Sequence, residues 1–266
     1  MTYLAPRGQA ARRRAPAPAP GPGPEDPSEL WDLEKLREAR RLGDWMFEQF
    51  AEHVGGEVIE VGAGIGTYSE RVLAHGVQRL TLVEPDPPCA RSLEARLGGD
   101  ARVVVQRDSL PGSRALREAA GTADLVYSLN VLEHIAHDAD AMREMAGALR
   151  PGGRLFVLVP GHPRLYTDLD RTYGHHRRYT RSSLRALLEN AGLEVDDVAS
   201  FNLLGIPGWW LQGRRGATGI PSSSLAVYEA LLRAWRPVER RVRPPWGLSV
   251  IAHARAPGSA PAERRQ

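Results

Sequence analysis

Apolar positions in this chain follow two periods. Val58, Ile59 and Val61, then Arg79–Glu84, Arg102–Gln106, Ala123–Ser128 and Leu155–Val159, are short and nearly continuous apolar runs, as expected of strands buried on both faces. Stretches of helical spacing separate them, the first carrying Tyr68, Val72 and Leu73 on one face. Five such alternations predict a parallel sheet with helices on both sides, joined by right-handed crossovers. Leu33, Leu36, Leu42, Met46 and Phe50 predict a single helix over roughly 29–53, ended by Gly55-Gly56. A helix at about 138–149 stops at Pro151-Gly152-Gly153. Another holds Leu184, Leu187 and Leu188, with Thr180 as its N-cap. Residues 193–202 and 247–254 read as two further strands. An insertion at 203–246 lies between them, with a helix carrying Leu225, Tyr228, Leu231, Leu232 and Trp235. The Ala-Pro and Gly-Pro repeats of residues 1–27 predict a disordered tail, and 257–266 a frayed one, leaving a folded domain at 28–256.

The first strand runs straight into Gly62, Gly64 and Gly66. Lacking a Cβ, these residues let the backbone turn sharply and approach a ligand, while the following helix N-terminus offers N–H donors. The spacing is G-x-G-x-G, with Thr67 where the third glycine of a dinucleotide turn would fall. Glu84 ends the second strand, 18 residues beyond Gly66. Doubly wound folds place an acid near there because both carboxylate oxygens accept from a ribose diol.

Glu60 with the glycine triplet, Glu84, and Leu132-Glu133-His134 after the fourth strand follow one another as in the class I S-adenosylmethionine-dependent methyltransferases, which Glu60 to Val159 resemble in order and spacing. The resemblance implies a Rossmann-like, doubly wound α/β fold. Its seven-stranded sheet would be mostly parallel with an antiparallel C-terminal strand, and its methyl donor S-adenosyl-L-methionine, released as S-adenosyl-L-homocysteine. It implies that Glu60, Gly62, Ala63, Gly64, Gly66 and Thr67 wrap the amino-acid end of the cofactor. Glu84 would take the ribose, and Pro85, Ser109 and Asn130 complete the set. Asp108 matches an adenine-contacting position, or else caps the helix beginning near Pro111. The helix at 29–53 either lies over the cofactor or simply covers the sheet. Ser128-Leu129-Asn130-Val131 stands where nucleic-acid amino-methyltransferases carry Asp/Asn-Pro-Pro-Tyr/Phe, which counts against methylation of adenine or cytosine.

Residues 160–180 leave the fifth strand on the side where such sheets bind ligands. They are dense in His, Tyr, Asp and Arg with little apolar periodicity, as a substrate loop would be. Asp170, Gly174, His175, Arg177, Arg178, Tyr179 and Thr180 match a run found in a bacterial subgroup of the family. Methyl transfer from a sulfonium requires in-line alignment and, for a hydroxyl or ammonium acceptor, loss of a proton. His175 is the expected base with Asp170 beside it. His134, His162 and His176 are rivals, and Tyr166, Arg178 and Tyr179 are expected to line the acceptor. The competing view makes the arginines surface charges and His175 a structural tie. No metal-ligand spacing is visible, so metal-independent chemistry is expected.

Composition narrows the field. With 266 residues, 42% of them hydrophobic, the chain can bury one full core. The lone Cys89 excludes a disulfide framework or an iron–sulfur cluster and suits a cytoplasmic setting. The net charge of +3 conceals a basic C-terminal segment of +7 over 210–266 and an acidic body. That distribution argues against nucleic acid as a partner; the methyltransferase resemblance leads to the expectation of transfer to an oxygen or nitrogen of a small molecule, sugar or lipid-linked intermediate. Trp209, Trp210 and the arginines of the insertion fit either a lid on the domain or peripheral contact with an anionic membrane, in a monomer or dimer. Three other readings stay open: a nicotinamide-dependent oxidoreductase, an RNA-binding protein, and a methyltransferase-like scaffold without activity.

Overall fold

In the computed structural model, which describes residues 27–214 and 221–258, strands form where the apolar runs predict them. They are β1 (Glu57–Val61), β2 (Arg79–Val83), β3 (Val103–Gln106), β4 (Ala123–Leu129), β5 (Leu149–Pro160), β6 (Glu194–Phe201) and β7 (Ser249–Arg255). They make one sheet in the order β3-β2-β1-β4-β5-β7-β6. β7 runs antiparallel to both β5 and β6, and the pairs from β3 through to β5 are parallel. The chain order reverses between β1 and β4, which opens a crevice beyond their C-terminal ends.

The helices are α1 (Pro27–Glu38), α2 (Arg40–Phe47), α3 (Ser69–His75), α4 (Pro87–Leu97), α5 (Arg114–Glu118), α6 (Asp138–Ala148), α7 (Asp168–Thr172), α8 (Arg181–Asn190), α9 (Gly205–Arg214) and α10 (Ser222–Val242). Successive residues of a strand face opposite sides, so Ile59 and Val61 join a core with Met142 and Leu184, from α6 and α8. Val58 joins a second core with Trp45, Val72 and Leu93, from α2, α3 and α4. Two apolar layers on one sheet are what the doubly wound pattern requires. Apart from Pro27, which opens α1, and residues 257 and 258, the tails expected at 1–27 and 257–266 lie outside the described residues.

One expectation is corrected. The helix foreseen over 29–53 is two helices and a short 3₁₀ turn, Ala51–His53. Ala39, 2% exposed, leaves helical geometry at φ −73°, ψ 69°. The break frees N–H groups at the start of α2. The Glu229 carboxylate of α10 accepts from Arg41 N at 3.0 Å and from Leu42 N at 2.8 Å. Beyond the break Phe50 stacks on Tyr127 and Phe156, with centroids at 4.7 and 4.9 Å. A straight helix would not place both α1 and Phe50 where they lie, and the acceptor that stabilises the bend comes from the far end of the chain.

The insertion is latched in the same manner. Glu239 of α10 accepts from Asn202 N, from Leu203 N and from Trp235 Nε1, while Leu232 is buried against the second core.

Candidate active site

The glycine turn has a physical requirement at each of its three positions. Gly62, Gly64 and Gly66 all have positive φ, at 74°, 55° and 82°. A Cβ on Gly62 would meet Val131 Cγ2 at 2.2 Å, and one on Gly66 would meet Leu93 Cδ2 at 2.9 Å. Gly64 differs. Only Leu33 of α1 stands within 4 Å of where its Cβ would be, at 3.7 Å. So α1 lies over the glycine loop, with open space at the middle glycine.

Glu84 closes the other side. It is 6% exposed, and its carboxylate accepts from Gly64 N at 2.7 Å and from Asp86 N at 2.9 Å. Burial raises its pKa, against those two N–H donors. Each oxygen keeps a lone pair, so a diol still finds acceptors there. Glu60 sits one strand away and is used differently: Ser69 Oγ donates to it at 2.5 Å. It ties β1 to the first turn of α3, and burial pushes its carboxyl up to about 7. Ala63 N donates to Val83 O, and Thr67 O accepts from Arg71. Asn130 turns the chain out of β4 at φ 54°. Asp108 is placed in the capping role: it accepts from Ser109 N, Ser113 Oγ and Ala115 N at the start of α5.

Residues 160–180 form a closed loop. Tyr179 N donates to Pro160 O and His162 N to Tyr179 O, which pinches its neck. Within it Asp170, fully buried, is the hub. Its carboxylate accepts from Thr167 N at 2.8 Å, from Arg178 Nε at 2.7 Å and from His175 Nδ1 at 2.8 Å. Against the cost of burial, the His175 hydrogen bond and the Arg178 charge hold its pKa below the usual range. Arg178 also donates to Gly161 O at 3.0 Å and stands 4.8 Å over the Trp209 ring.

Beside this hub lies Glu133, fully buried, with neither carboxylate oxygen hydrogen-bonded. Burial pushes its pKa up to about 8. His175 Nε2 is 3.9 Å from Glu133 Oε1, and the His134 ring meets the His175 ring edge-on at 4.8 Å. The surrounding loop, then His175 and His176, hold His134 below the usual histidine range. Both nitrogens of His175 therefore face carboxylates, and its side chain is 8% exposed. His134 is the exposed ring of the pair.

The expected acceptor residues divide. Tyr166 donates to His175 O at 2.6 Å and braces the loop. Tyr179 is turned into the core, 3% exposed, with its hydroxyl on Asp138 Oδ2 and Leu132 O. His162 faces Trp246 and the start of β7, and His176 is exposed on the loop. Sequence reasoning missed that Glu133 is buried without a hydrogen-bond partner, because a buried acid inside Leu-Glu-His looks the same as a solvated one. It also missed Trp209 and Tyr173, whose rings lie 6.3 Å apart beside Arg178.

A sequence profile described as a methyltransferase domain matches residues 33–198. Over 166 residues the chain is 30% identical to the ubiquinone biosynthesis O-methyltransferase of Xanthomonas axonopodis pv. citri, covering 56% of this chain and 66% of that protein. The chain thus spans just under two thirds of that relative's length. The protein of the same name from Pseudomonas aeruginosa is 27% identical over 168 residues, covering 58% of this chain and 71% of its own. Among solved structures, a putative sarcosine dimethylglycine methyltransferase from Galdieria sulphuraria aligns with a TM-score of 0.55 at 15% identity, covering 82% of this chain and 86% of that one. The phosphoethanolamine N-methyltransferase 2 of Haemonchus contortus, in complex with S-adenosyl-L-methionine, aligns at 0.51 and 17% identity, covering 77% of this chain and 49% of that one. These structural likenesses concern the fold. With the profile matching more than half of its length, this chain belongs to the methyltransferase domain family, on the class I S-adenosylmethionine-dependent fold.

Proposed function

We propose that this protein transfers the methyl group of S-adenosylmethionine to a hydroxyl oxygen of a hydrophobic, aromatic small molecule. The observation that carries the cofactor half is the space at Gly64, bounded by Leu33, with the buried Glu84 carboxylate against the Gly64 N–H. Bound there, the cofactor supplies a methyl group on a sulfonium centre. Glu84 accepts from its ribose diol, and α1 shields the loop from water.

The acceptor half rests on the Glu133–His134–His175 cluster and the aromatic corner of Tyr173 and Trp209. Val131, which touches Gly62, sits two residues before Glu133, so the cluster adjoins the glycine turn. An acceptor hydroxyl gives up its proton at this cluster while its ring lies on the aromatic side chains. The loop residues Asp170 and Arg178 orient His175 and leave the exposed His134 nearest the acceptor. The relatives' names, which specify O-methylation in ubiquinone biosynthesis, support an oxygen acceptor over nitrogen. The location that follows is the cell interior, at or near a membrane that stores lipid-soluble acceptors.

Ligand-induced melting tests the cofactor half. S-adenosylhomocysteine at 100 times its Kd is expected to stabilise the protein by about 2.7 kcal/mol, and NAD to leave it unchanged. Stabilisation by NAD instead would overturn the reading. Incubation with methyl-labelled S-adenosylmethionine and simple catechols tests the acceptor half, with label expected on oxygen.

A further inference from the structure

Three side chains from two distant segments meet with unusual chemistry. Glu133 has both oxygens buried and without a hydrogen-bond partner. The donor atoms of Glu133, His134 and His175 all lie within 4.8 Å of one another. Asp170 takes the Nδ1 side of His175 at 2.8 Å. With that nitrogen carrying the proton that Asp170 accepts, Nε2 presents a lone pair toward Glu133. Glu133 Oε1 and His175 Nε2 stand 3.9 Å apart, too far for a hydrogen bond between them. Arg178 acts on Glu133 through space, but its N–H groups are used on Asp170 and Gly161 O and its face on Trp209.

We propose that Glu133, His134 and His175 bind a divalent transition-metal cation, with Asp170 orienting His175 from behind. Two imidazole nitrogens and one carboxylate suit Zn(II) and its neighbours, and suit Mg(II) poorly. A carboxylate behind a ligating histidine fixes the tautomer and the ring direction such a site needs. A closed tetrahedral site has donors about 3.4 Å apart. The present spacing is wider, so the His134 ring, now hydrogen-bonded to the Tyr173 backbone, would have to shift inward to close the site. The one tetrahedral position left open would be available to the acceptor. A hydroxyl coordinated there loses its proton at lower pH than it does in water. This role rests on the acceptor reading above, whereas the binding site itself does not.

The test uses full-length protein stripped with chelator. Calorimetric titration with Zn(II), and absorption with Co(II), are expected to show one saturable equivalent with visible bands of a low-coordinate cobalt centre. Glu133→Gln and the surface-accessible His134→Ala are each expected to weaken Zn(II) binding by more than 10-fold, and Asp170→Asn by about 10–100-fold. His53→Ala, on the remote His53–His253 pair, is expected to leave binding unchanged, as is excess Mg(II). Absence of saturable binding would overturn the proposal, and so would equal binding by the Glu133 and His134 variants. S-adenosylhomocysteine affinity, measured on the same samples, reports separately on the cofactor reading.

Discussion

Single residues in this site separate stability from ligand binding. Gly62→Ala combines a left-handed backbone with a collision at Val131. It is expected to cost more than about 2 kcal/mol, a drop in Tm of about 5 °C or more. Gly64→Ala meets only Leu33, at contact distance. Its cost is the left-handed backbone alone, about 1 kcal/mol, yet it fills the space assigned to the cofactor. Calorimetry is expected to show at least a 10-fold loss of S-adenosylhomocysteine affinity, out of proportion to the change in Tm. Glu60 carries a pH dependence. Its carboxyl is raised from 4.5 to about 7 by burial, so the folded state holds a proton that the unfolded chain has released. Its contribution to stability is full below pH 4.5 and falls as pH rises to about 7. Glu60→Gln is therefore expected to gain Tm relative to the parent at pH 8, and little at pH 4.5. The glycines and Glu84 were legible in the sequence, because a turn and a strand-end acid state their geometry locally. The Glu133–His134–His175 cluster was not, because its members come from the turn after β4 and from a loop whose closure depends on Asp170.

At the scale of elements, the strands were legible and the N-terminal helix was not. Continuous apolar runs report burial on two faces wherever they occur, and β1 to β5 form at the runs that predicted them, β2 and β3 each one residue shorter than its run. The break at Ala39 has no proline or glycine to announce it. Its stabilising partner is Glu229 of α10, and no local window contains both. Glu229→Ala is expected to lose about 1 kcal/mol as an absent helix cap. Because α1 covers the glycine loop, it is also expected to weaken S-adenosylhomocysteine binding, which a purely local cap would not do. α10 has a second aspect. Val227, Leu231, Val238 and Val242 form an exposed stripe on the side away from the domain. Among the described residues, α10 thus packs on the domain with one face and exposes apolar side chains on the other. Among the described residues, no helix is long and apolar enough to cross a membrane. We propose that the stripe and its neighbours Arg240, Arg241 and Arg243 rest on the surface of an anionic bilayer. Sedimentation with phosphatidylglycerol vesicles is expected, lost at high salt and with phosphatidylcholine alone.

For the whole molecule, the order β3-β2-β1-β4-β5-β7-β6 has a temporal consequence. β6 pairs only with β7, so a growing chain that has finished β6 has nothing yet to lay it against. Until residue 255 clears the ribosome, β5 and β6 each present an open backbone edge, the kind of edge along which unfinished chains adhere to one another. Premature termination anywhere short of that point is therefore expected to yield inclusion bodies and not a shortened, idle enzyme. Nascent chains of this protein would then be natural clients for a holding chaperone until β7 has emerged.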